Sequence, residues 1–227
     1  MVLGKMKFRD LDRKWLVFTE KKDIKKICKK VKINIEDGIL IGYGYINHNE
    51  GLKIKIAGFI NKENETYSLD PEIIYNKSSI IFSNKLKYKV NNVDEIIIRN
   101  IEHTDQLEKH FDSYYQKKAI NESRKVDYID EFRHETYIDD VELTLNTGKK
   151  SELLWARIED CSINDGIFVC SLLENSMYNK KYREKTLVLA KVSSIKKKKI
   201  FLIDYIVDIV KKEKHWLLFY LKNFSII

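Results

Sequence analysis

The chain has 227 residues, 33% of them charged and 44% hydrophobic, a balance that buries a real core and excludes a disordered or fibrous class. Its net charge of +8 rests on 35 lysines against 7 arginines, with abundant isoleucine and asparagine. These three residue types share A/T-rich codons, so the charge argues less for a polyanion partner than an arginine-rich surface would.

Cys28, Cys161 and Cys170 cannot all pair within one molecule, and the N-terminal MVLGKMKFRDLDRKW lacks an apolar core of signal length. The apolar stretches Ile200 to Val210 and Trp216 to Leu221 are too short to span a bilayer. The expectation is a cytoplasmic chain with reduced thiols and no membrane span.

The first hundred residues read as mostly strand, beginning with a short apolar run at Lys14 to Phe18. Thr19 is the expected N-cap of a helix in which Ile24, Ile27, Cys28 and Val31 share one face. Lysines at 21, 22, 25, 26, 29 and 30 occupy the other face. The stripe is narrow and has no Trp, Phe or Leu anchor, which favours packing on a sheet over lying on a membrane. GILIGYGYI (Gly38 to Ile46) and GLKIKIAGFI (Gly51 to Ile60), joined by Asn47-His48-Asn49-Glu50, predict a hairpin. Gly42 and Gly44 form a G-x-G without a third glycine or a following helix, so they mark a bulge or close backbone approach and not a dinucleotide loop. Further strands are expected at Ser79 to Ser83, Leu86 to Val90 and Glu95 to Arg99, with a turn over Val90-Asn91-Asn92-Val93.

The texture changes near residue 102. Thr104 to Arg124 has helical spacing, with Leu107, Phe111, Tyr114, Tyr115 and Ala119 available for one side. Net charge is +7 over residues 1–100, −4 over 101–150 and +5 over 151–227. Strands resume at Tyr137 to Leu145, Glu152 to Glu159, Gly166 to Leu173 and Lys185 to Val192. Ile200 to Val210 reads as strand leading into helix, and Trp216 to Leu221 as a buried strand or docking helix. The expected class is α+β, two small β-rich domains joined by a helical connector. Their bounds are 1–101, with one basic amphipathic helix, 102–135, helix plus acidic linker, and 136–227.

No constellation reaches the standard of a familiar active site. Glu131 and His134 form one E-x-x-H pair, where a di-iron bundle needs two and further glutamates. His134-Glu135 fails H-E-x-x-H because residue 138 is Ile. Asp139, Asp140 and Glu142 offer carboxylates for a metal-dependent nuclease, but Glu142 is followed by Leu143-Thr144 and not by x-Lys. His103 and His110 have no further ligand nearby in sequence. The run Lys196, Lys197, Lys198, Lys199 would contact phosphate, yet only Phe201 is near it to stack a base. The residues predict no cofactor and no metal site.

SELLWARIEDCSINDGIFVCSLLEN (Ser151 to Asn175) is the most organised local pattern. Leu153, Trp155 and Arg157 fall on one face of a strand and Leu154, Ala156 and Ile158 on the other, so the strand is expected to be central and Trp155 to anchor a core. Asn164-Asp165-Gly166 forms the connector tip, and Cys170 is expected to be buried and inert. The succession W-x-R-I (Trp155 to Ile158), G-I-F-V (Gly166 to Val169), L-L-E-N (Leu172 to Asn175) and K-T-L-V-L-A-K-V (Lys185 to Val192) resembles a small bacterial β domain of unknown function. In that family a Trp-bearing strand precedes a β-turn-β, an L-x-N segment and a strand closing the sheet. Its members recur as accessory modules, some near toxin–immunity genes. The resemblance covers residues 150–195, and Glu184 replaces the family's glycine before the last strand. It implies a fold fragment and a setting and no catalytic residue.

The reading favoured by the sequence is a non-enzymatic protein-interaction module, immunity or regulatory in type, with a protein partner. Its expected binding residues are Arg157, Asn164, Asp165, Lys196, Lys197 and Lys198. The alternative is a nucleic-acid-binding protein or a nuclease built on Asp139, Asp140 and Glu142.

Overall fold

The computed structural model describes residues 1–33, 38–60, 67–69, 78–92, 104–146, 150–164, 166–193 and 199–206. The first half contains strands β1 (Trp15–Phe18), β2 (Ile39–Asn47), β3 (Gly51–Ile60), β4 (Tyr67–Leu69), β5 (Ser79–Ile81) and β6 (Asn91–Asn92). The second contains β7 (Asp140–Asn146), β8 (Ser151–Ser162), β9 (Ile167–Leu172), β10 (Leu187–Ser193) and β11 (Lys199–Ile206). Among the described residues the α-helices are α1 (Lys21–Val31), α2 (Thr104–Asp112) and α3 (Lys118–Lys125). The architecture is mixed α+β, and no helix among the described residues is long and apolar enough to cross a membrane.

The first sheet has the order β4-β3-β2-β1-β6, with β5 also pairing β3. Its longest ladder is the expected hairpin, running from Ile39↔Ile60 to Asn47↔Gly51. α1 buries Ile24, Ile27 and Cys28 in a core with Leu16, Phe18, Leu40, Ile54 and Ile56, and its lysines face outward. On a second core, Leu107 and Phe111 of α2 meet Trp15, Tyr43 and Tyr45. The sheet is therefore covered on both faces, which is why GILIGYGYI is apolar at odd and even positions alike. Glu20, not Thr19, takes the N-cap position of α1, and its side chain makes no cap bond.

Two local expectations change. Asn91 and Asn92, read as a turn, form the edge strand that pairs with β1 at Val17 and Leu16. Leu86 to Val90, read as a strand, makes only an isolated bridge between Val2 and Lys89. Its backbone instead bonds the N-terminal segment, from Leu3 N to Tyr88 O and from Gly4 N to Leu86 O, where a 3-10 turn at Leu3–Lys5 interrupts any longer ladder. The glycine pair behaves as expected. The ladder shifts register between Ile41 and Gly42, and a Cβ on Gly44 would lie 1.9 Å from the Leu11 carbonyl oxygen.

The second half is a closed barrel in the order β10-β11-β7-β8-β9. Strands consecutive in sequence, from β7 to β11, pair antiparallel. A meander with an odd number of strands ends with its first and last running the same way, so β11 closes on β7 in parallel. Leu143, Leu154, Ala156, Ile158, Phe168, Cys170, Leu172, Val188 and Ala190 fill the interior. Here the expected core role of Trp155 is corrected. β8 is central, flanked by β7 and β9, but a barrel strand turns only alternate residues inward. Leu154, Ala156 and Ile158 take the interior, leaving Trp155 half-buried outside.

The helix expected over Thr104 to Arg124 is broken into α2, a 3-10 turn at Ser113–Tyr115 and α3. Lys117 adopts extended backbone at the start of α3, and the Asn121 side-chain amide donates to the Tyr115 carbonyl across the break. α3 packs against β8. The segment before β7 reaches the first sheet: Leu52 N donates to Thr136 O at 2.7 Å, the Thr136 hydroxyl donates to Phe82 O at 2.9 Å, and Ile138 joins the first core. The expected strand at Glu95 to Arg99 and the segment at Trp216 to Leu221 lie outside the described residues, as do positions 207–210.

Candidate functional site

The acidic patch ahead of β7 is the polar hinge on which the sheet and barrel meet. Asp139, whose side chain is 1% exposed, accepts from Arg124 Nε at 2.9 Å and Nη2 at 2.6 Å, and lies 2.8 Å from His48 Nδ1. Burial alone would raise its pKa, but the Arg124 and His48 contacts prevail and hold it at about 2. His48 sits in the β2–β3 turn, so this carboxylate ties α3, the first sheet and the approach to β7 together. His48 Nε2 is buried and has no hydrogen-bond partner among the described residues. It faces Glu159 Oε2 at 3.5 Å, a charge contact. The β8–β9 ladder shifts register between Ile158 and Asp160, so Glu159 is the bulged residue, and the bulge is what aims its side chain at the hairpin turn.

The three carboxylates weighed for metal chemistry are placed differently from a metal site. Asp139 is held by Arg124, and Asp140 accepts both Arg157 Nε at 2.6 Å and Nη2 at 3.0 Å. Glu142, two residues beyond Asp140 on the same strand, lies opposite Trp155. No group of three or more His, Cys, Asp or Glu among the described residues is arranged to hold a metal ion. The bidentate guanidinium pairs give Asp139 and Asp140 a structural use.

Of the expected binding residues, Arg157 lies mid-strand on the outer face of β8, paired to Asp140 and 3.4 Å from the Asn49 side chain. Asn164 is exposed at the β8–β9 tip, where it borders a shallow cavity shared with Lys118, Ala119 and Glu122. The two are seven positions apart along the hairpin, and no contact joins them. Asp165, Lys196, Lys197 and Lys198 lie outside the described residues. Cys170 is fully buried, and that burial raises its thiol pKa. Cys161 is pushed up to about 11, chiefly by burial, and its thiol donates to Ala119 O at 3.1 Å.

Residues absent from the expected binding set form an apolar strip at the start of β8. α3 packs against the distal end of β8, where the Cys161 thiol meets the Ala119 carbonyl, and the middle of the strand's outer face engages the β2–β3 turn through Arg157 and Glu159. Only the first residues stay open. Leu153 is 55% exposed, and Trp155 beside it stacks edge-on against His134 at 5.4 Å. The buried Glu152 carboxylate accepts from Ser176 Oγ at 2.6 Å and Met177 N at 2.8 Å, which clamps the 175–179 loop beside Leu153. That clamp presents Met177, 79% exposed, and Tyr178, whose ring lies 4.8 Å from Lys150 Nζ. Leu173 borders the strip through its bond to Trp155 O. The period-two alternation separates Leu153 and Trp155 from Leu154 and Ala156, but it does not say which set faces outward.

Compared with protein-family models, with curated proteins and with solved structures, the chain matches none.

Proposed function

We propose that the protein is a non-enzymatic, cytosolic protein-interaction module of bacterial type with an immunity or regulatory role. In this reading the two β-rich units, 1–101 and 136–227, are joined by the helical connector 102–135. The observation that supports it most is the strip of Leu153, Trp155, Leu173, Met177 and Tyr178. Large apolar side chains held outward by a buried carboxylate clamp are a costly arrangement unless something covers them. Exposed Lys180, Lys181, Arg183 and Lys185 follow in the adjoining loop, against one exposed acid there, Glu184. The partner that fits is a protein with an apolar centre and an acidic rim. The immunity setting rests on the resemblance of residues 150–195 alone.

The test pairs Leu153→Asp with Met177→Asp and uses Lys25→Glu on α1 as control. Both strip positions are exposed, so the melting temperature should stay within a few degrees of wild type. A partner isolated from host lysate and then purified should bind the double variant at least about tenfold more weakly, and the control unchanged. Equal affinity for wild type and double variant rejects the strip. Sedimentation that shows a dimer lost in the double variant replaces the acidic partner with a second copy of the chain.

A further inference from the structure

A cleft of about 500 Å³ lies between the N-terminal segment and the α2–α3 break. That volume suits a metabolite-sized ligand. Its wall has five cations, Arg9, Arg13, Lys118, Arg124 and Lys125, against two acids, Asp12 and Glu122.

The partners of those cations divide them. Arg9 is bidentate to Asp130 at 2.9 Å, Arg124 is held by Asp139, and Lys125 meets Glu122 at 2.6 Å. Asp130 is not part of the lining and the Arg9 side chain stays about a third exposed, whereas Arg124 is buried and its remaining nitrogen donates to Asn121. Asp12 turns its carboxylate to the Tyr115 hydroxyl, which donates to it. Arg13 and Lys118 form no ion pair among the described residues. Lys118 begins α3, and the Arg13 guanidinium stacks 3.8 Å from the Tyr115 ring centroid, which fixes the plane of its fork.

Arg13 is also held in left-handed backbone, with φ of 56°, a conformation that disfavours arginine. Its cause is traceable. Arg13 N donates to Gly44 O and Gly44 N donates to Lys14 O, both at 2.9 Å, pinning residues 11–14 onto β2 where a glycine admits the Leu11 carbonyl. The backbone thus stores strain at the residue whose planar cation faces the cleft.

We infer that this cleft binds a small oxyanion ligand, with Arg13 and Lys118 as its direct contacts and Tyr115 as the platform that orients Arg13. A phosphate group matches it best, because a guanidinium fork and an ammonium together meet three oxygens. The inference stands independently of the outer strip of β8, since none of its residues belongs to that strip.

Calorimetric titration of the full chain with inorganic phosphate, at ionic strength held constant with sodium chloride, tests it. Wild type should show saturable one-site binding. Arg13→Gly combined with Lys118→Gln should weaken it at least about tenfold, the worth of one charge-assisted hydrogen bond. Glycine is chosen because it accepts φ of 56° without strain, so the variant keeps its fold, checked by an unchanged circular dichroism spectrum. Lys25→Gln with Lys26→Gln, on the far helix α1, should bind as wild type does. Absence of saturable phosphate binding by wild type overturns the inference, and so does equal binding by the cleft variant. A short oligothymidylate serves as the second probe. If it binds through the same two residues where phosphate does not, the cleft reads a nucleic-acid backbone and the small-ligand assignment fails.

Discussion

Arg124 and Asp139 form a buried pair whose loss the fold would feel. Their side chains are 5% and 1% exposed, so neither charge can turn to water when its partner is removed. Arg124→Ala leaves a buried carboxylate with only His48 beside it and is expected to cost roughly 3–5 kcal/mol. Replacing both residues with apolar ones of similar volume should cost far less, because no uncompensated charge then remains. Urea denaturation of the single and double variants separates the two outcomes. Arg133 illustrates the same rule with carbonyls as partners: buried, it donates to Ile138 O and Ser123 O, each at 2.6 Å, and to Asp130. Nothing in the spacing of these acids and bases distinguishes a water-facing charge from one that an arginine fifteen residues away will cover.

Strand β2 shows how one glycine sets a distant surface. Gly44→Ala would place a methyl against the Leu11 carbonyl, and neither backbone can yield without breaking the paired bonds at Arg13 and Lys14. An expected loss of roughly 1–3 kcal/mol follows from the overpacking. The phosphate affinity of the cleft should fall with it, because the 11–14 segment is displaced. Thermal unfolding and the calorimetric titration read the two effects separately. Elements such as the β2–β3 hairpin, α1 and the strands of the barrel were legible from periodicity, since each has one clear alternation or one clear stripe. The break between α2 and α3 was not. Leu107, Phe111, Tyr114, Tyr115 and Ala119 fit a single helix face, and only the tertiary pull of Asp12 and Ile46 N on the Tyr115 hydroxyl accounts for the chain turning there. The apolar strip was missed for a related reason: alternation says that Trp155 opposes Leu154 and Ala156, but only closure of the barrel says which side is the inside.

At the scale of the molecule, sheet and barrel are latched through His48. Burial pulls its pKa down, but the contacts with Asp139 and Glu159 outweigh burial and raise it above the ordinary value. The protonated imidazole is therefore favoured by folding. Its contribution is complete below about pH 6.5, the unfolded value, and is lost as pH rises through the elevated folded value. His48→Gln should remove that slope, so that wild type and variant converge in stability above the folded pKa and diverge in favour of wild type below about pH 6.5. Melting temperatures measured across pH 5 to 9 at fixed ionic strength check it, and a slope that persists in the variant assigns the titration elsewhere.

The parallel seam between β7 and β11 has a topological consequence of its own. In an even-stranded meander the two ends of the barrel emerge side by side, and a short loop can rejoin them. Here the start of β7 and the end of β11 lie at opposite rims, separated by a strand of eight residues, or about 26 Å at the usual rise. A circularly permuted barrel would need a linker that climbs its full height. Synthesis from the N-terminus meets the same geometry: β7 is made first and waits for β11 before its open edge can be sealed.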